Sequence, residues 1–142
     1  MIILEEGKLD DALTVLHGIP EFELLPGWED IIARLHTIPH LILTASDQGQ
    51  AVGFKIGYER DGHFYSWLGG VIPSYRHYGV AGLLADRQEQ WAKKQGYSTI
   101  WMKTRNRFPE MLLMAIRRGF RITAISPRDK IAEHRIVLRK SL

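Results

Sequence analysis

Gly69-Gly70-Val71-Ile72-Pro73-Ser74-Tyr75-Arg76-His77-Tyr78-Gly79-Val80-Ala81-Gly82-Leu83-Leu84 is the stretch on which the fold turns. It reads as the end of a strand, a tight loop and the start of a long helix. Such a loop aims successive backbone N–H groups at one point. At a helix N-terminus that point is an anion site. Two phosphate loops can be tested by residue type. A Walker A string, Gly-x-x-x-x-Gly-Lys-Ser/Thr, does not occur, and neither does the dinucleotide fingerprint Gly-x-Gly-x-x-Gly. What stands here is Arg76-x-x-Gly79-x-Ala81, with Gly82 next.

Upstream, three β-leaning runs lead into the stretch. Residues 40–46 are apolar and end in Asp47-Gln48-Gly49-Gln50, a hairpin turn. Residues 51–59 alternate, which predicts that Val52, Phe54, Ile56 and Tyr58 share one face. Arg60-Asp61-Gly62 is a second turn, carrying the Asp-Gly pair that hairpins favour. Residues 63–71 form the third strand, so the three make an antiparallel meander. Before them lie a short strand over 1–5 and a helix with Leu9, Ala12, Leu13 and Leu16 on one face. Gly18 and Pro20 stop that helix. A Pro26-Gly27 turn follows, then a second helix with Trp28, Ile31, Ile32 and Leu35, ended by Pro39.

Downstream, a helix over 79–95 carries the stripe Val80, Leu83, Leu84 and Trp91, and Gly96 caps it. Residues 98–104 form a strand. Pro109 opens a helix that Arg117 and Arg118 close and Gly119 caps. Strands over 120–125 and 131–138 finish the chain. The order β-α-α-β-β-β-α-β-α-β-β predicts a single α/β domain over residues 1–142, with a mixed, mostly antiparallel sheet flanked by helices.

The 142 residues suit one domain with a real core. The absence of cysteine excludes a disulfide scaffold, a thiolate nucleophile and Cys-ligated metal centres. The N-terminus has neither the basic nor the apolar region of a signal peptide, and no apolar run is long enough to span a bilayer. A cytoplasmic protein without membrane partners is the expectation. Charge is uneven: residues 1–50 carry −7 and residues 51–142 carry +10. That split suggests a polyanionic ligand on the second part and a cationic one near the first. The C-terminal bases form no nucleic-acid motif, so no nucleic-acid partner is expected. His36 and His40 are four apart, but Pro39 breaks the helix that would align them, and no metal is expected.

The pattern Arg76-x-x-Gly79-x-Ala81, after a strand and opening a helix, resembles the acetyl-CoA signature of the GCN5-related N-acetyltransferases (GNAT). Gly70-Val71-x-Pro73-x-Tyr75-Arg76 is similar to that family's lead-in, and Asn106 followed by a helix ending in Gly119-Phe120 to its second landmark. The resemblance implies acetyl-CoA as acyl donor. The backbone of Arg76, His77, Tyr78, Gly79, Val80 and Ala81 would hold the pyrophosphate. Gly70, Val71 and Asn106 would contact the pantetheine, in a gap where the strands flanking the motif splay apart. The Val71 N–H would stabilise the oxyanion. It implies an amine acceptor, a small molecule or a protein, and the acidic first third suggests a cationic one.

The usual catalytic groups of the family are absent. The strand over 63–71 has no carboxylate, so Glu59 and His63 are the nearest candidates for proton handling. Ala115 stands where the family's acidic tyrosine belongs, which leaves Tyr75, Tyr78 or Tyr97 as substitutes. An acyl-CoA-binding sensor without chemistry is the alternative. An edge strand over 131–138 could pair across a homodimer.

Overall fold

The computed structural model describes residues 1–20 and 28–142. The Pro26-Gly27 turn lies outside the described residues. The elements are β1 (Ile2–Glu6), α1 (Leu9–His17), α2 (Trp28–Leu35), β2 (His40–Asp47), β3 (Gln50–Arg60), β4 (His63–Val71), α3 (Val80–Lys94), β5 (Thr99–Arg105), α4 (Pro109–Arg117), β6 (Arg121–Ser126) and β7 (Arg135–Ser141). Their order is the one the sequence predicts.

One seven-stranded sheet runs β1-β2-β3-β4-β5-β7-β6, and only β4 and β5 pair in parallel. Both hairpin turns rest on two consecutive residues with positive φ. These are Gln48 and Gly49 between β2 and β3, and Asp61 and Gly62 between β3 and β4. That backbone matches the twist of the flanking strands. Each face of the sheet has its own core. On one, Val80, Leu84 and Ala92 of α3 and Ala115 of α4 pack on Leu43, Val52, Phe64 and Ile100. On the other, Ala12, Val15 and Leu16 of α1 and Ile31 and Leu35 of α2 pack on Phe54, Ile56, Tyr58 and Tyr65.

Three expectations are corrected. Val52 does not share a face with Phe54, Ile56 and Tyr58. The register slips between Ala45 and Ser46, leaving Val52 as the extra residue of a bulge, so it turns into the α3 core. The last strand begins at Arg135, not at residue 131, because Ile131–Glu133 forms a 3-10 turn. β7 also lies inside the sheet, between β5 and β6, so it cannot be an edge for dimer pairing. The edge on that side is β6, with Ile122 and Ile125 exposed.

A second bulge, at Trp67 of β4, shifts the register between Ile56 and Gly57. Beside it, Gly57 lies under the Phe64 ring. A Cβ there would sit 2.5 Å from a ring carbon and 2.8 Å from the Tyr65 carbonyl oxygen. The second contact is backbone and cannot swing away. Gly57→Ala is expected to destabilise the fold by roughly 1–3 kcal/mol, read as a lower urea midpoint at unchanged slope. At Gly70 the close atom is the terminal methyl of Ile19, which can rotate aside, so Gly70→Ala should cost much less.

Candidate active site

β4 and β5 pair only through Phe64–Ile100, Tyr65–Trp101 and Ser66–Met102. Beyond Ser66 they part, while β4 stays paired to β3 as far as Val71. The edge of β4 from Trp67 to Val71 therefore faces an opening in the sheet. The Ile72 N–H donates to the Val52 carbonyl of β3 at 2.9 Å. Because N–H direction alternates along a strand, those of Val71 and Gly69 point the other way, into the opening.

The opening runs into the N-terminus of α3. A short 3-10 turn, Pro73–Tyr75, leads from β4. His77 and then Gly79, the N-cap of α3, take left-handed conformations with φ of 68° and 81°. The first helical bond is Leu83 N–H to the Gly79 carbonyl, so the amides of Val80, Ala81 and Gly82 precede it and have no helical acceptor. α1, α2 and α4 each carry an acid in the first turn, and α3 carries none. Its own first turn therefore leaves its positive end uncompensated. A Cβ at Gly79 or Gly82 would meet nothing within 4 Å, so the space above these amides is open. The Arg76 Nε donates to the Val71 carbonyl at 3.1 Å and ties the loop back to β4. His77 and Tyr78 are exposed, whereas the Val80 side chain anchors the helix in the core. Gly70, Val71 and residues 76–81 thus come together along one edge of the opening.

Asn106 follows β5, where its amide Nδ2 donates to the Ile131 carbonyl at 3.3 Å. Glu59 and His63 are not brought to this place. Glu59 pairs with Phe64 and His63 with Arg60, at the end where β4 and β5 are still joined. Val71 lies eight positions beyond His63 along the strand, roughly 25 Å of chain. Two of the substitute tyrosines are also engaged. The Tyr75 hydroxyl donates to Asp47 at 2.8 Å, and that bond holds its pKa above the usual tyrosine value. Tyr97 is raised first by burial and then by its hydrogen bond to Glu59. Tyr78 points to solvent.

A lysine that the sequence reading passed over lies beside the opening. Lys55 of β3 stands opposite Gly69 of β4. Since Gly69 has no side chain, Lys55 lies across it. Its Cγ and Nζ are 3.4 and 3.5 Å from where a Gly69 Cβ would be. Some of its surface stays accessible, but burial of the ammonium pulls its pKa down to about 8, helped by the Arg118 guanidinium and opposed by the Glu89 carboxylate. That carboxylate is already held by Arg118, at 3.0 Å, and by Lys140. Arg118 also meets Asp86 at 2.7 Å, fastening the end of α4 to α3. Ala115 is buried in the same core and contributes no polar group. The only signal for Lys55 in the sequence was a basic residue in an alternating strand opposite a Gly-Gly pair.

On the opposite face, the basic residues gather. Arg34 lies 5.2 Å over the Trp67 ring and donates to the Tyr58 hydroxyl at 3.1 Å. Arg60, Lys103 and Arg139 lie 5.4, 5.7 and 5.4 Å from the Trp101 ring centre. Among the described residues, no group of three or more His, Asp or Glu could hold a metal, and no helix is long and apolar enough to cross a membrane.

Comparison with known proteins agrees with this architecture. Ard1 from Thermoplasma volcanium superposes with a TM-score of 0.84 at 18% identity, over 99% of this chain and 97% of that one. The ribosomal-protein-S18-alanine N-acetyltransferase from Escherichia coli gives 0.80 at 18% identity, over 99% and 94%. A GNAT family acetyltransferase from Elizabethkingia anophelis with acetyl-CoA bound gives 0.76 at 19% identity, over 99% and 98%. At these identities the likeness establishes the fold. No curated protein matches the chain in sequence. A family model for the GNAT acetyltransferases matches residues 9–120, most of the chain, including the β4–β5 opening and the loop into α3, and the chain therefore belongs to the acetyltransferase (GNAT) family.

Proposed function

We propose that residues 1–142 act as one cytoplasmic unit that moves an acetyl group from acetyl-CoA directly to a primary amine of a small molecule or protein. The observation that carries this reading is the opening between β4 and β5 that leads straight into an uncompensated helix N-terminus. Family membership and the acetyl-CoA in the Elizabethkingia relative support it.

In this reading the amides of residues 76–81 hold the pyrophosphate, with Gly79 and Ala81 letting its oxygens approach the backbone. Gly70, Val71 and the exposed edge of β4 pair with the pantetheine as an added strand would. The Asn106 side chain contacts the same arm. The Val71 N–H, turned into the opening, faces the developing oxyanion. The acceptor nitrogen attacks the thioester carbon, the C–S bond breaks, and Lys55 gives a proton to the departing thiolate. The nitrogen loses its surplus proton to water at the open face. Glu59 and His63 are left without a part in the transfer.

The test is a panel of primary amines assayed for CoA release, beside calorimetric titration with CoA. Turnover of at least one amine with CoA binding is the expected result. Tight CoA binding without turnover would instead favour the sensor, and absence of binding would remove both.

A further inference from the structure

The face of the sheet opposite α3 is basic where β5 and β7 form it. Cross-strand partners share a face, so Trp101 with Arg139, Lys103 with Val137 and Arg105 with Arg135 line up side by side. Lys103 and Arg105 lie past the last β4–β5 pair, on the wall of the opening. Arg60 adds its guanidinium from the β3–β4 hairpin, 5.1 Å over Tyr65 as well as over Trp101. Next to them a cleft of about 680 Å³ is lined by Arg105, Arg128, Asp129, Lys130, Glu133 and Arg135.

Among the described residues lining the cleft, Asp129 and Glu133 face Arg105, Arg128, Lys130 and Arg135. Glu133 is taken up by Arg105 at 3.3 Å and Arg107 at 3.2 Å. Lys103 feels its neighbours: partial burial lowers its pKa, Arg60 and Arg135 lower it further, and Asp61 opposes them. Cations placed directly across from one another repel. Among the described residues, the cations at this cleft outnumber the carboxylates that line it. The Trp101 indole N–H, in a side chain more than nine-tenths buried beneath three of these cations, also has no acceptor among the described residues.

Resting on the reading above, we propose that this face is the acceptor subsite, and that it takes an amine carrying a carboxylate or phosphate near the reacting nitrogen. An amine approaching from the face opposite α3 passes Lys103 and Arg105 on its way to the opening. Their charges attract an acceptor's anionic group and repel polyamines and aminoglycosides. The cationic acceptor suggested by the charge of residues 1–50 is replaced by an anionic one, because Lys103, Arg105 and Arg135 stand past the last β4–β5 pair, with Arg34, Arg60 and Arg139 gathered beside them over Trp67 and Trp101.

The experiment uses the full chain with CoA bound. Equilibrium binding is followed by tryptophan fluorescence for four probes: a glutamate-rich peptide with a free N-terminus, glutamate, O-phosphoethanolamine and spermidine. The expected result is at least tenfold tighter binding of an anionic probe than of spermidine. The preferred probe tells peptide from amino acid from phosphate. The double variant Lys103→Gln/Arg135→Gln should lose at least tenfold in affinity for that probe, while its CoA affinity and melting temperature stay as in the parent. Lys103→Glu should narrow the gap with spermidine. Preference for spermidine, or indifference of the preferred probe to the double variant, overturns the proposal. A loss of CoA binding by the parent protein would instead overturn the acetyltransferase reading.

Discussion

Gly79→Val is expected to weaken CoA binding by at least about a hundredfold while the protein stays folded. Gly79 has φ of 81° at the N-cap of α3, and no atom lies within 4 Å of the place its Cβ would take. The variant therefore suffers no clash. It suffers backbone strain of about 1–2 kcal/mol for the left-handed region, more for a β-branched residue. Relief of that strain rotates the peptide units of the loop and scatters the amides that converge above α3. A side chain also fills the open space an anion would enter. A hundredfold loss corresponds to about 2.7 kcal/mol, within reach of these two effects together. Calorimetry with CoA and with pantetheine separates them from a general defect. CoA affinity should fall, while pantetheine, which lacks the pyrophosphate, should bind parent and variant alike. Unchanged CoA affinity would remove the loop from the site.

Lys55→Met is expected to lower kcat by about a hundredfold, the scale of a lost general acid, with CoA affinity retained. In the parent, the rate should fall above about pH 8, as the ammonium that protonates the thiolate is lost. The variant should lack that limb. Lys55→Arg keeps the charge but does not release a proton in this range, and should not restore the rate. Stability moves the opposite way. The folded pKa of Lys55 lies below its unfolded value of about 10.4, so between about pH 8 and 10.4 the unfolded chain binds more protons and stability rises with pH. Below pH 8 the full cost of burying the charge is present, up to about 3 kcal/mol. Lys55→Met should therefore melt higher than the parent at pH 7, with the advantage shrinking towards pH 10. A variant with parental kcat and an unchanged pH profile would leave Lys55 a structural residue only.

The elements that could be read from the chain were those with local chemistry. Asp61-Gly62 and Gln48-Gly49 marked the hairpins because few residue pairs accept two positive φ values in succession. The loop at residues 69–84 could be read because glycine, a small residue and a helix start follow in fixed spacing. What escaped depended on register. Val52 fits either face of a strand, and only the bulge at Ala45/Ser46 decides which one it takes. The run from Ile131 looked like a strand, but the chain first closes a 3-10 turn whose carbonyls accept from Asn106 and Arg107. Glu59 and His63 are close to the loop in sequence, yet they fall at the closed end of the β4–β5 pair. Arg34, Arg60, Lys103, Arg135 and Arg139 are spread over a hundred residues and become neighbours only when β5 and β7 pair beside the meander.

On the proposed reading, the loop entering α3 and the free edge of β4 hold the two ends of one CoA molecule. A titration of the ¹⁵N-labelled protein with CoA, followed amide by amide, decides this. The largest shifts are expected at His77 to Gly82 and at Gly69 and Val71, with pantetheine alone moving only the β4 amides. Shifts confined to other parts of the sheet, or a loop whose amides ignore CoA, would contradict it.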